Sequence, residues 1–497
     1  MRYLNKIIEY GILLFVFLIP WQARWIISIG NINGGEWEYG TQSLYATEIL
    51  LAGILVLLIM KFIAWAVETR QCLVSTMRER FNFKRLLSPY GVLFLFIVYA
   101  GVSIFWAIDK NTALIHWRFL VEAGAVFVLI SSFVETRYIA SHKIYWAIIL
   151  SAIVQVGFAV AQSHMQYIPA STELGMAAQN ASNLGASVVE TVTGRWLRAY
   201  GTFPHPNILG AWLVLGLMSI IGLWRGSKFR VSSFEFRDIF LYSSFVIILF
   251  GLLLTFSRSA WLVFGVFLVI VILSEMTRRT RRGTESKDLI GNPWDSSTPR
   301  VRFAQNDGFK LFALTILTVA VFATVFPDPF LSRFSSNRLE VKSQTERMAS
   351  WQEGIEIIKK HPILGAGVGN YGLAVHRDIT SNQPAWYYQP AHNVFLLIWS
   401  ELGIIGIILL ILIVFMSLRA QRSGAKQSYN HDEDDLSNGP LQRVDRIASV
   451  VNTLPRNDIL FLLPLLILSL FDHYLWSLYP GVMLAAVWLS LSSRPTQ

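Results

Sequence analysis

The chain has a single cysteine, Cys72, which excludes an internal disulfide framework and leaves no second thiol for a cysteine-based metal cluster. Charge is also scarce. Asp, Glu, Lys and Arg make up 15% of the 497 residues, against 54% apolar ones, a balance that fits a polytopic membrane protein better than a soluble one. Zinc-finger spacing, an RNA-binding aromatic motif and a Walker-type GxxxxGK[ST] are missing, so the net charge of +10 carries no nucleic-acid reading. No convincing small-x-small cleavage site follows the first apolar run, which therefore reads as a retained helix rather than a removed signal.

What is present is a series of apolar blocks, each long enough for a helix to cross about 30 Å of hydrocarbon. The pattern predicts an all-α, polytopic transmembrane bundle of about twelve spans. They are placed near 7–29, 46–67, 88–106, 115–134, 142–162, 205–223, 239–257, 259–275, 309–326, 393–418, 458–475 and 478–492. The whole chain, 1–497, reads as one membrane domain. Segment 70–85 carries five basic residues while 31–40 carries none, so the first is expected on the cytoplasmic side and the second outside. Both termini and the polar loops 276–308 and 419–457 then fall in the cytoplasm. Two long segments, 163–204 and 327–392, fall outside. The runs 278–310 and 430–440 read as flexible polar linkers.

The second outer segment is rich in chemistry. SQTERMASWQEGIEIIKKHP, 343–362, reads as an amphipathic helix opened by a Ser343/Glu346 capping box, with Met348, Trp351, Ile355 and Ile358 at helical spacing and Lys359 and Lys360 in the last turn. Such a helix lies on the membrane surface or packs on the bundle. Arg347 stands beside its apolar stripe. ILGAGVGNYG, 363–372, is either a helix-ending turn or a backbone cradle for an anion. Arg377 adds a further outer cation. At His392 and Asn393 the chain returns to an apolar run: Asn393 suits a helix cap, and a neutral imidazole at His392 can accept a proton from a sugar hydroxyl.

Elsewhere, Arg258 stands between two apolar runs with no neighbouring acid. It either reaches the headgroup level or meets an anion, for which a planar guanidinium is suited. AYGTFPHPNILGAW, 199–212, combines a helix start at Pro206 and Asn207 with His205, and Arg195 and Arg198 precede it. Asp472 and His473, in the turn before the last span, are candidates for orienting a ligand or a catalytic group.

The order GTFPHPN, then TFSRSAW, then QTERMASWQEGIEIIKKHPILGAGVGNY, ending in AHNVFL, resembles the O-antigen ligase and Wzy-type polymerase superfamily of bacterial membrane proteins. The motif-bearing part runs from about 199 to 403. The resemblance implies an inner-membrane glycosyltransferase working on the periplasmic or extracellular face, without metal or other cofactor. Its expected partners are an undecaprenyl-pyrophosphate-linked glycan, a glycan or lipid-linked sugar acceptor, and membrane lipid. It implies that Arg258 and Arg347 bind the pyrophosphate and that His392 is the base, with inversion at the sugar centre. Arg195, Arg198, His205, Lys359, Lys360, Arg377, Asn393, Asp472 and His473 complete the expected substrate-binding set. His205 departs from the asparagine common at that place.

Ligase and polymerase are not separated by these stretches. A solute transporter of the inorganic-carbon type is the rival of another class. It would use mid-span polar groups such as Glu122 and Gln155. A non-catalytic envelope scaffold is a third reading.

Overall fold

The structure is a computed structural model that describes residues 2–68, 88–136, 138–226, 236–288, 307–335, 338–429 and 458–492. Cys72, the basic segment 70–85 and the run 430–440 lie outside the described residues, as does the greater part of 224–230, 278–310 and 419–457.

The described chain is largely helical. In order, the helices are α1 (Arg2–Leu18), α2 (Ala46–Glu68), α3 (Pro89–Val102), α4 (Lys110–Thr136), α5 (Tyr138–Met165), α6 (Pro206–Gly226), α7 (Phe236–Leu254), α8 (Arg258–Asp288) and α9 (Asp307–Val325). There follow α10 (Pro327–Ser332), α11 (Arg338–Lys360), α12 (Tyr371–Asp378), α13 (Val394–Tyr429), α14 (Asp458–Phe471), α15 (Tyr474–Ser477) and α16 (Tyr479–Ser492). Short antiparallel pairs decorate the connections: β1 (Arg24–Ser28) with β4 (Gln42–Tyr45), β2 (Asn31–Ile32) with β3 (Gly35–Glu36), β5 (Tyr167–Ile168) with β6 (Gln179–Asn180), and β7 (Val188–Thr191) with β8 (Gly194–Leu197).

The span count of about twelve is overturned. Among the described residues seven helices are long and apolar enough to cross a membrane: Ala46–Ala66, Lys110–Ser132, His142–Met165, Pro206–Trp224, Phe236–Leu254, Gly308–Val325 and Val394–Met416. In the other five expected blocks the apolar helical stretch among the described residues is 17 residues or fewer, and for three of them local chemistry says why. The first apolar run stops at Leu18, just before Pro20, and residues 24–28 pair as strand β1 instead of continuing the helix. The blocks at 88–106 and 259–275 become apolar helices over Tyr90–Phe105 and Arg258–Ser274. The last two blocks are cut by the Asp472–His473 turn and by an extended Leu478, leaving apolar helices over Phe461–Phe471 and Tyr479–Ser492. Fourteen helical residues rise only about 21 Å, short of a roughly 30 Å core. A multi-pass membrane architecture stands on the seven.

The described chain divides into two compact units. One comprises Met1–Ala147, Ser171–Met176 and Glu340–Gln497. Within it α16 packs along α4, and α13 along α3. The other comprises Ile148–Ala170 and Ala177–Leu339, and is built around α6, whose side chains are almost all buried against its neighbours. Glycines let those neighbours come close: a Cβ on Gly251 would stand 2.3 Å from Val156.

Candidate active site

In the first unit, α13 begins at the polar break noted in the sequence. Asn393 caps it, its Oδ1 accepting the Leu396 N–H at 2.9 Å while its Nδ2 donates to the Leu470 carbonyl at 3.3 Å. The second bond ties the start of α13 to the end of α14, and the turn after α14 is Asp472–His473. His392 is thereby brought to Asp472: Nδ1 stands 3.4 Å from Oδ1. Its ring also meets His473, with centroids 4.9 Å apart at 63°. Tyr39 also packs on His473, centroids 5.8 Å apart at 70°. Burial, helped by the charges of Glu38 and Asp472, pushes the Tyr39 hydroxyl well above its ordinary value and keeps it neutral.

Asp472 is 3% exposed and His473 7%, whereas the His392 side chain keeps 29% of its surface open. Asp472 Oδ1 accepts the His473 backbone N–H at 2.9 Å, which holds the carboxylate in place. His392 Nδ1 is buried, with no hydrogen-bond partner among the described residues. The arrangement is a water-reachable imidazole backed by a buried carboxylate.

Arg347 lies on α11, in the same unit. The helix starts at Arg338, five residues before the expected capping box, so Ser343 and Glu346 sit inside it rather than at its end. The expected apolar stripe does not pack on the protein: Met348 is 66% exposed and Trp351 and Ile355 are exposed too. The inward face carries buried Gly354 and Ile357, with half-buried Arg347 two turns earlier at helical spacing. Gly354 abuts Leu396, and Ser400 Oγ donates to the Gly354 carbonyl at 3.3 Å. The face bearing Arg347 therefore rests on the opening turns of α13, with Arg347 about 10 Å along the axis from that contact. Arg347 Nε is buried and meets no acceptor among the described residues.

The glycine-rich turn is committed to the protein rather than to a ligand. Gly365, Gly367 and Gly369 all have positive φ. Gly369 N–H donates to Glu401 Oε2 at 2.7 Å, Tyr371 N–H to Oε1 at 3.3 Å, and Trp476 Nε1 to Oε2 at 2.8 Å. The Tyr371 hydroxyl then donates to the Ser350 carbonyl at 2.7 Å, tying the turn to α11. Glu401 was missed in the sequence, although a carboxylate inside the apolar run FLLIWSELG is itself a signal that a buried partner exists.

Lys359, Lys360 and Arg377 each have a partner. Lys359 Nζ pairs with Glu356 at 2.7 Å, Lys360 Nζ donates to the Asp378 carbonyl, and Arg377 bonds Asp378 at 2.6 Å and His361 at 3.0 Å. Glu122 forms part of a cluster with Arg118 and Glu48 at the side of α4.

The second unit carries the other expected residues. Arg258 is the exposed first residue of α8, following a tight turn in which Phe256 has φ of 48°. A helix N-terminus and a guanidinium together make a positive site. Arg198 is buried, donating to the Thr255 carbonyl at 2.8 Å and to Asn207 Oδ1 at 2.6 Å. His205 Nδ1 accepts the Asn207 backbone N–H at 3.1 Å, so its Nε2 carries the proton toward Ser187 Oγ at 2.9 Å. Arg195 is exposed and reaches the Ser182 and Asn183 carbonyls at 3.5 and 3.4 Å. Gln155 Oε1 accepts the Thr202 N–H at 2.8 Å, a structural use of a mid-span amide.

A family profile described as O-Antigen ligase matches residues 243–411. The chain has family-level similarity to the O-antigen ligases. That segment contains Arg258, Arg347, His392 and Asn393; Asp472 and His473 lie beyond it. The chain is also 25% identical over 236 residues to a General O-oligosaccharyltransferase of Acinetobacter baylyi, a match covering 45% of this chain. It spans 36% of that relative's length.

Proposed function

We propose that the chain is an O-antigen-ligase-like membrane glycosyltransferase that moves a glycan from undecaprenyl pyrophosphate to the hydroxyl of an acceptor sugar, without a metal, and with inversion. The observation that carries the reading is the pairing of His392 with the buried carboxylate of Asp472, inside a chain similar to O-antigen ligases.

The chemistry follows from that pairing. With Nδ1–H facing Asp472, the open Nε2 has a lone pair for the acceptor hydroxyl proton. As the proton arrives, the acceptor oxygen bonds the sugar C1 and the C1–O bond to the pyrophosphate breaks, so undecaprenyl pyrophosphate leaves with the bonding electrons. Asp472 balances the imidazolium that forms. Arg347, with its unmatched Nε–H, binds the pyrophosphate and neutralises charge as it departs. On the resemblance of the SRSAW stretch, Arg258 is a pyrophosphate-binding candidate. The site works on the outer face, with both termini in the cytoplasm.

Purified protein with carrier-linked glycan and acceptor, its product followed by mass spectrometry, tests the reading. His392→Ala is expected to lose transfer and retain carrier binding, and Arg347→Ala to weaken carrier binding. Full turnover by the His392 variant would remove the base, and solute flux into proteoliposomes without glycan transfer would replace the reading by transport.

A further inference from the structure

The surroundings of His392 contain more than a base and its carboxylate. His392, Asp472 and His473 each offer one ligand atom, and those atoms lie within 4.8 Å of one another. This is a two-imidazole, one-carboxylate set, the donor chemistry of zinc sites that keep an open position for water.

Several independent details fit an ion. His392 Nδ1 and Asp472 Oδ1 are 3.4 Å apart, and the nitrogen is buried without a hydrogen bond among the described residues. Metal–ligand bonds of about 2.0–2.1 Å in tetrahedral geometry place neighbouring ligand atoms roughly 3.3 Å apart, so little movement is required. Ser477 Oγ donates to the His473 carbonyl at 3.1 Å and stands 2.6 Å from His473 Nδ1. In the tautomer with the serine hydrogen on the carbonyl, Nδ1 carries a proton toward Oγ and Nε2 is the nitrogen with a lone pair to offer a metal. Tyr39 packs edge-on against the same ring. The partly open His392 edge admits the water that completes four-coordination.

We propose that His392, Asp472 and His473 bind one divalent transition-metal ion of the zinc class, and that the bound ion switches the transfer centre off. The second half rests on the function proposed above. A metal on His392 Nδ1 takes that lone pair, so the single proton of the neutral imidazole moves to Nε2. Nε2 then has nothing with which to accept the hydroxyl proton, and Asp472 is held by the ion. The site is a brake, and the ion takes no part in sugar transfer.

The test uses the full chain in detergent, stripped by a chelator and desalted. Cobalt(II) is expected to give the visible absorption bands of a tetrahedral site, which zinc removes. Elemental analysis is expected to find one zinc per chain after gel filtration, and Mg²⁺ to compete poorly because it prefers all-oxygen octahedral shells. His473→Ala and His392→Ala should each weaken zinc binding by about tenfold or more, and Ser477→Ala, which keeps all three ligands, by less. Elution of each variant at the wild-type volume confirms that it is folded. Absent cobalt bands in the wild type, or unchanged zinc content in both histidine variants, overturns the site.

The activity arm separates the two readings. Zinc is expected to stop transfer and a chelator to restore it. If zinc binds as described but His392→Ala transfers at full rate, the ion site stands and the base assignment falls. If transfer needs His392 yet the wild type holds no zinc, the base stands and this inference falls.

Discussion

Glu401 Oε2 accepts the indole N–H of Trp476 at 2.8 Å while also accepting the backbone N–H of Gly369 at 2.7 Å. One carboxylate on α13 thus joins the last helices to the glycine-rich turn, and through Tyr371 to the helix that carries Arg347. Glu401→Ala would leave those buried donors without acceptors. Hydrogen bonds to a charged group contribute about 1.5–3 kcal/mol each, so a loss of several degrees in the melting midpoint is expected in a detergent thermal-shift assay. An unchanged midpoint would mean the turn is held by something else.

Gly403 tests the same junction from the backbone. Its φ is 65°, and a Cβ there would stand 2.0 Å from the Ile363 carbonyl oxygen. Gly403→Ala combines a positive-φ penalty with a collision against main chain, which cannot rotate away, and is expected to cost about 2 kcal/mol or more. The measurement is again the thermal midpoint; Gly53→Ala, inside α2 where a Cβ meets nothing within 4 Å, is the control and should leave it unchanged or slightly raised.

Asp472→Asn preserves shape while removing the charge that faces His392. Initial transfer rates are expected to fall about a hundredfold, within the range that general-base catalysis contributes, while affinity for carrier-linked glycan stays near wild type. A parallel loss of binding would instead make Asp472 a scaffold residue.

Asp378 supplies a pH test. Its hydrogen bond from Arg377, together with His361, holds the carboxyl below the usual range. A depressed carboxylate contributes stability above its unfolded value that is lost as pH falls through the folded one. Protection of the amides of residues 361–379, read as exchange relative to the intrinsic rate at each pH, should therefore fall as the sample is acidified below about pH 4. Arg377 is half exposed, so the contribution is about 0.2–1 kcal/mol, and Asp378→Asn should show the faster exchange already at neutral pH.

Much of this was legible from residue order. Apolar run length marked the helices, Asn393 was readable as a cap, and the basic residues pointed to the loop helix. Run length misled where single residues end helices: Pro20 and the Asp472–His473 turn broke spans that hydrophobicity alone would continue, because an average over a window does not register a missing N–H or a buried polar turn. The capping box failed for a related reason. Ser343 has the right spacing to Glu346, but the helix begins at Arg338, so no free N-terminal N–H groups remain there to be capped.

By itself the sequence determined that the chain is helical, membrane-bound, and furnished with Arg347 and His392 on the two sides of a glycine-rich turn, since periodicity, composition and turn chemistry are local properties. Tertiary structure alone decided that Asp472, eighty positions away in sequence, faces His392, that the glycine N–H groups belong to Glu401, and that Arg198 and His205 are spent on internal hydrogen bonds. Such pairings depend on which helix ends are packed side by side, and long-range packing leaves no periodic trace along a single chain.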